Sequence, residues 1–199
     1  MSAGKAISDV LARLSLGDTV PREAAKAAAI AVLRERDGEV EVLLIQRTER
    51  VDDPASGHIA LPGGRVDPGD ATLLATALRE CEEEVGLRRS DLVGTPRFAG
   101  IGGAFQSRLP VGVFAARLGE GARLAHAASP EEVAGVFWLP RSTLLPARSV
   151  PRRTSDGVRP VEATVYDGRV LWGFTRRALL DLFELEPSGP YSLVPAAQS

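Results

Sequence analysis

Apolar residues recur at helical spacing from about Ala6 to Leu14, and Gly17 with Pro21 then breaks the pattern, so residues 1–20 read as a short accessory helix. Ala27 to Leu33 and Val40 to Ile45 are apolar runs joined across Arg36-Asp37-Gly38. Asp-Gly is a strong hairpin signal, so this pair begins a sheet. Thr48 to Ser56 reads as a polar loop, Ile59 to Leu61 as a short strand, and Pro62-Gly63-Gly64 as a tight turn that a side chain would obstruct. From about Ala71 to Val85, Leu74, Ala77, Leu78, Cys81 and Val85 fall on one buried helical stripe, and Gly86 supplies the stop. Further strands are predicted near Phe98, at Val111 to Ala116, at Val133 to Leu139 and at Val161 to Tyr166, before a final helix from about Gly173 to Leu185. Residues 187–199, rich in Pro, Ser and Ala, are expected to fray. Mixed strands with flanking helices predict the α/β class, as an α/β/α sandwich around a central mixed sheet.

Length and charge narrow the function. A chain of 199 residues with 44% hydrophobic content can bury one full core, so a single domain over 1–199 is expected. A net charge of −2 supplies no global basic field, which argues against extended nucleic acid and leaves small charged ligands open. Cys81 stands alone, so no internal disulfide is available, in keeping with a reducing cytoplasm. Asp9 and Arg13 interrupt the only candidate leader, and no apolar run reaches membrane-spanning length. A soluble, cytoplasmic protein is expected, with a homodimer left open.

The glutamates on the stripe-bearing helix carry the chemistry. At about 100° per residue, with the apolar stripe set near 0°, Glu80 and Glu84 fall at roughly 240° to 280° and Glu83 at roughly 180°. Glu82 falls on the other side, at roughly 80°, and reads as ordinary surface. Like charges at i,i+4 repel, and carboxylates near a helix C-terminus oppose the macrodipole, so a positive partner is expected there. Hard divalent cations take oxygen ligands, and Mg²⁺ binds through few carboxylates while bridging substrate phosphates. A solvated acidic helix end is the plainer alternative for Glu82-Glu83-Glu84 taken alone.

The surrounding pattern decides between them. Gly64-Arg65-Val66-Asp67-Pro68-Gly69-Asp70, followed by Arg79-Glu80-Cys81-Glu82-Glu83-Glu84-Val85-Gly86-Leu87, resembles the Nudix box. The second half matches throughout, with Cys81 in an apolar position. In the first half Asp70 stands where the pattern has glutamate, and eight residues instead of seven separate it from Arg79. A motif this long is far more specific than a lone glycine pattern. The resemblance implies an α/β/α sandwich whose loop and helix hold Mg²⁺ or Mn²⁺ against the diphosphate of a nucleotide-like small molecule. It implies Glu80, Glu83 and Glu84 as metal ligands, with backbone oxygen from Gly64. It offers Glu80 alternatively as the group that activates water, and implies a catalytic set of Glu80, Glu83 and Arg79. Arg79, at roughly 140°, is expected to turn from the metals and brace the loop through Asp70.

A narrower resemblance is to the coenzyme A diphosphatase branch. It rests on Leu43-Leu44-Ile45-Gln46-Arg47, on Gly57-His58-Ile59-Ala60-Leu61-Pro62-Gly63-Gly64, and on Leu171-Trp172-Gly173 opening a helix. Part of that branch's upstream motif is missing, because Asp53 and Ala55 occupy its basic and histidine positions. Coenzyme A or an acyl-CoA is the implied substrate, with ADP-ribose, NADH or a dinucleoside polyphosphate as alternatives. A ligand-sensing module that kept the fold and lost turnover is a rival reading, against which the three glutamates stand.

Secondary candidates follow. Glu131 and Glu132, before the Val133 strand, are alternative general bases, or else a capping pair after Ser129-Pro130. Arg47 and Gly63 are candidate substrate contacts. Arg148, Arg152, Arg153 and Arg159 sit in a stretch rich in Pro and Ser, where a solvated loop is the plain reading. Guanidinium geometry nevertheless makes Arg152 and Arg153 phosphate-binding candidates. His58 and His126 are assigned to no metal, Gly100-Ile101-Gly102-Gly103 lacks the helix a dinucleotide site requires, and Trp138 and Trp172 read as core or base-stacking aromatics.

Overall fold

The computed structural model describes residues 3–49, 57–103, 109–154, 157–186 and 192–194. Its elements in chain order are α1 (Ala3–Ala12), β1 (Ser15–Leu16), β2 (Ala27–Arg36), β3 (Glu39–Arg47), β4 (Ile59–Ala60), β5 (Gly63–Arg65), α2 (Leu73–Val85), β6 (Leu92–Gly103), β7 (Pro110–Leu118), β8 (Val133–Pro140), β9 (Arg148–Thr154), β10 (Gly157–Tyr166), β11 (Arg169–Trp172) and α3 (Gly173–Leu182).

The predicted α/β class with a central mixed sheet is the observed one. The main sheet runs β1-β6-β7-β2-β3-β4, with β5 added to β2 and β8 to β3. Among the described residues only β2 and β7 run parallel in it; the other pairs are antiparallel. β2 is buried over seven consecutive residues because both its faces are covered. Ala27, Ala29, Ala31 and Leu33 face a core that includes Ile7 and Val10 of α1 and Ala178, Leu179 and Leu182 of α3. Ala28, Ile30 and Val32 face the other core, with Leu73, Leu74, Ala77, Cys81 and Val85 of α2. Helices thus cover both faces. Cys81 is buried there, and desolvation raises its thiol pKa to about 12, so it behaves as a small apolar residue.

The hairpin from β2 to β3 turns at Asp37 and Gly38, both at positive φ (52° and 80°), as the Asp-Gly signal requires. The two strands pair only as far as Leu33 and Val42 and then separate. Into that split goes the segment Ile59–Arg65: β4 pairs with Ile45 and Gln46 of β3, and β5 pairs with Ala27 to Ala29 of β2. Ile30 N donates to Pro62 O between them at 2.9 Å. Pro62-Gly63-Gly64, expected as a turn, is therefore partly strand. The space limit remains, since a Cβ on Gly63 would lie 2.3 Å from Ala28 O and 2.5 Å from Ala29 Cα.

The stretch expected as a solvated arginine loop is instead a hairpin, β9 to β10, extended by β11 into a three-stranded sheet. Pro151 and Pro160 had hidden it, and the two prolines face each other where β10 has only β9 as neighbour. Residues 50–56 of the predicted polar loop, Asp53 and Ala55 among them, lie outside the described residues, as do 187–191 and 195–199 of the predicted tail. Ser192–Val194 are anchored. Leu193 N donates to Asp181 Oδ2 at 2.8 Å, and Val194 forms a bridge with Ile101. Among the described residues no helix is long and apolar enough to cross a membrane.

Candidate active site

α2 begins where the Thr72 side chain accepts from Ala75 N at 3.1 Å, and it ends at Gly86, whose φ of 72° and N–H to Glu82 O close the last turn. These two caps fix the phase of the helix against the sheet. The apolar stripe faces the core, and Glu84 is carried inward beside it, only 2% exposed. Its Oε2 accepts a hydrogen bond from Gly63 N at 2.8 Å, which ties the helix to the split between β2 and β3. Burial, aided by the charges of Glu80 and Glu132, raises the Glu84 pKa from its ordinary 4.5 to about 7; the Gly63 N–H and the charge of Arg47 act against the rise. Glu80, one turn back, is half-buried, and desolvation likewise raises its pKa, with Glu83 and Glu132 adding to the effect. Gly64 lies directly against it: a Cβ at Gly64 would come within 2.4 to 2.5 Å of the Glu80 carboxylate atoms. Glu82 turns away and pairs with Arg88 at 2.7 Å, as its side of the helix predicts.

Arg79 departs from expectation in one respect. The brace to Asp70 forms, with Nε to Oδ1 and Nη2 to Oδ2 both at 3.1 Å, so neither the shorter aspartate nor the extra residue prevents it. Nη2 also donates to Arg65 O at 3.0 Å. Yet the guanidinium is not turned from the carboxylates, because Nη1 reaches Glu80 Oε1 at 2.9 Å and Glu83 Oε2 at 3.0 Å. Carboxylates crowded on one helix flank draw in the nearest cation, and the length of the arginine side chain allows it to serve both groups. Among the described residues no three His, Cys, Asp or Glu side chains are gathered at metal-binding separations. Glu83 is more than half exposed and held outward by Arg79, while Glu84 is held inward by Gly63. The donor set nonetheless fits a hard divalent ion. It consists of carboxylate oxygens, two of them on groups whose charge is opposed by burial and by each other, beside a glycine whose missing side chain leaves room.

The remaining candidates divide. Arg47 and Glu132 act electrostatically on Glu84, and Glu132 on Glu80 as well, so both belong to the neighbourhood of the cluster. Glu132 is brought there from far along the chain. His126 N and Ala128 N donate to Val85 O and Glu84 O, filling carbonyls left open at the end of α2, and Thr48 N then donates to Glu132 O at 2.9 Å. Glu131 is engaged by Ser129 Oγ at 2.8 Å. No helix follows Ser129-Pro130, so the pair caps none; Ser129 O instead accepts from Glu132 N and Val133 N in a turn that leads into β8. Arg152 and Arg153 lie on β9, opposite Arg159 and Val158, and neither is among the charges acting most on Glu80 or Glu84. Trp138 lies under the Arg34 guanidinium at 4.0 Å, and Trp172 meets the His58 ring edge-on at 5.1 Å, so both aromatics have structural partners. Sequence reasoning missed Thr76, whose Oγ1 donates to Asp70 Oδ2 at 2.8 Å; a hydroxyl residue among the buried positions of α2 was the available signal.

Comparison with known proteins identifies the family. Residues 24–156 match the NUDIX domain family. A relative in Citrobacter koseri, named uncharacterized Nudix hydrolase NudL, is 34% identical over 189 residues, covering 88% of this chain and 92% of its own. A protein of the same name in Klebsiella pneumoniae is 32% identical over 187 residues, with the same coverage. Among solved structures, a MutT/nudix family protein from Enterococcus faecalis superposes with a TM-score of 0.54 at 18% identity, covering 81% of this chain and 61% of that one, which is a likeness of fold. With the box on a capped helix and its glycines against two of its glutamates, the chain belongs to the Nudix hydrolase family and is an enzyme of the pyrophosphohydrolase kind.

Proposed function

We propose that the chain hydrolyses a diphosphate bond in a nucleoside diphosphate derivative, with Mg²⁺ or Mn²⁺ as cofactor and coenzyme A or an acyl-CoA as substrate. The observation that carries this reading is the hydrogen bond from Gly63 N to Glu84 together with the close approach of Glu80 to Gly64, which sets two desolvated carboxylates against backbone that side chains would obstruct. Glu80, Glu83 and Glu84, with the carbonyl oxygen of Gly64, would hold the ion. A bound divalent cation supplies neutralisation of phosphate oxygens and acidifies water.

The chain's own groups supply the rest. Arg47 lies on the side of Glu84 where its charge is felt, and it suits a phosphate oxygen. Arg79 is a positioning residue, which locks the loop carrying Asp70 to the helix carrying the glutamates. Glu132 is the general base that accepts the proton at its carboxylate oxygen, with Glu80 and Glu131 as alternatives. Arg152 and Arg153 are assigned to phosphate binding from the second sheet. The choice of coenzyme A is supported by the likeness of Leu43 to Arg47, Gly57 to Gly64 and Leu171 to Gly173 to that branch.

Purified protein with Mg²⁺ or Mn²⁺, offered coenzyme A, NADH, ADP-ribose and dinucleoside polyphosphates, tests the reading. Highest kcat/KM on coenzyme A is expected; preference for another member of the set would replace that substrate, and no turnover of any would favour a ligand-sensing role.

A further inference from the structure

An open cavity of about 450 Å³ lies between the chain leading into β2 and the chain leaving β5, a volume within the range of small-molecule sites. Arg22, Lys26 and Arg65 line it, against two carboxylates, Glu23 and Asp67. Both carboxylates are engaged within the wall. Glu23 Oε1 accepts from Arg22 Nε at 2.8 Å, and Asp67 Oδ1 accepts from Gly69 N at 2.8 Å. Arg22 is engaged as well, with Nη1 on Pro68 O at 2.6 Å. Among the described residues, no ion pair or side-chain hydrogen bond holds the Arg65 guanidinium or the Lys26 ammonium, whose charge is felt by Glu23, and both residues are exposed.

These two cations are mounted on a ladder, not on a loose loop. Lys26 N donates to Pro110 O at 3.0 Å, Lys26 O accepts from Val66 N at 3.1 Å, and Ala27 pairs with Arg65. Ala25, Val66 and Leu109 add apolar surface beside them. A forked guanidinium and an ammonium next to an apolar wall suit a phosphomonoester attached to a nucleoside. The cavity is also joined to the reaction site, since Arg65 O takes the Arg79 Nη2 bond and the preceding Gly64 lies against Glu80. One or two residues of extended chain, at about 3.3 Å each, separate the two.

We infer that the cavity at Lys26 and Arg65 binds a phosphomonoester carried by the same substrate whose diphosphate is cleaved, and so separates coenzyme A, which bears one on its ribose, from diphosphates that lack it. This rests on the coenzyme A reading above.

The test has two arms, on protein carrying both Lys26→Gln and Arg65→Gln, with Arg65→Gln alone alongside; both side chains are exposed, and thermal melts check folding. In the first arm, calorimetry with adenosine 3′,5′-bisphosphate in EDTA keeps divalent ions, and hence the glutamate site, out of the reading. Binding to the parent protein is expected, weakened at least tenfold in the double variant; equal binding overturns the site. In the second, kcat/KM for coenzyme A is expected to fall about tenfold in the double variant while that for 3′-dephospho-coenzyme A holds. Weakened binding with unchanged preference between those two substrates overturns the assignment to substrate and gives the cavity to a free phosphorylated ligand. If the parent turns over neither, the coenzyme A reading itself falls, and calorimetry alone passes or fails the cavity.

Discussion

Arg79 grips Asp70 with two parallel bonds of 3.1 Å, and the aspartate's Oδ2 also accepts from Thr76 Oγ1 at 2.8 Å and from Asp67 N at 2.9 Å. The Arg79 hydrogen bond, helped by the other two, pulls the Asp70 pKa from its ordinary 3.8 to about 2. A folded pKa below the unfolded one means stability that is present above pH 3.8 and lost as the pH falls towards 2. Asp70→Asn is expected to cost about 1–2 kcal/mol at pH 7 and to flatten the acid limb of a urea-melt series from pH 2 to 7. A variant whose stability falls between pH 4 and 2 as steeply as the parent's would remove Asp70 as the source.

Glu84 shows the opposite sign. Its folded pKa of about 7 stands above the ordinary 4.5, so the folded state binds more protons in that interval and stability without metal falls as pH rises through it. Glu84→Gln keeps an oxygen for the Gly63 N–H and removes the charge. The metal-free variant is therefore expected to be more stable than the parent at pH 8, by up to about 3 kcal/mol, and to match it below pH 4.5. Its metal-dependent turnover should drop by at least two orders of magnitude. Gain of stability with loss of activity is the signature of a carboxylate kept for its ligand; unchanged turnover contradicts that role.

Local patterns carried as far as local forces do. Asp37-Gly38 specified the hairpin, and the apolar stripe specified α2 together with the division of Glu82 from the other glutamates, because each depends on backbone geometry within a few residues. The split between β2 and β3, and its filling by Ile59–Arg65, depends on pairings between strands far apart in sequence, and no periodicity records them. The same holds for Glu132, which reaches the cluster because residues 126 and 128 satisfy carbonyls of α2. The β9–β10 hairpin was masked by proline, which forbids a ladder bond at its own nitrogen without forbidding an edge strand. Among the site residues, Arg79 required the structure most: the resemblance implied a brace to Asp70, but its simultaneous contact with Glu80 and Glu83 is a matter of side-chain reach.

The two glycines of β5 are expected to fail in different ways. At Gly63 an added Cβ meets backbone, 2.3 Å from Ala28 O and 2.5 Å from Ala29 Cα, in a strand fixed on both sides. Gly63→Ala should destabilise by about 3 kcal/mol or more, in the range seen when a packed interior is overfilled. At Gly64 the Cβ meets only the Glu80 carboxylate, at 2.4 to 2.5 Å, and that end of the side chain can swing away. Gly64→Ala should melt within about 1 kcal/mol of the parent and lose most of its activity. Thermal melts set beside turnover separate the two; a well-folded, active Gly63→Ala would show that β5 does not sit where the pairing places it.

Selecting the general base turns on two adjacent glutamates. Glu131 is hydrogen-bonded by Ser129 Oγ at 2.8 Å, in the turn before β8. Glu132 is the one whose charge reaches both Glu80 and Glu84, and its backbone is fixed from both sides, with N on Ser129 O at 2.9 Å and O receiving Thr48 N at 2.9 Å. A base needs a fixed backbone beside the glutamate cluster and a carboxylate available for a proton, and Glu132 meets these better than Glu131, whose carboxylate accepts from Ser129. Loss of a general base costs roughly 10²- to 10⁴-fold. Glu132→Gln is expected to lower kcat by that factor while KM changes little. Glu131→Gln should leave kcat within about threefold, an effect smaller than the loss of one base. The reverse ranking would transfer the role to Glu131, and two unimpaired variants would leave Glu80 to accept the proton. In that case Glu80→Gln should lose turnover and the acid limb of the pH–rate profile together, whereas a residue serving only as a metal ligand should regain part of its rate at higher Mn²⁺ concentration.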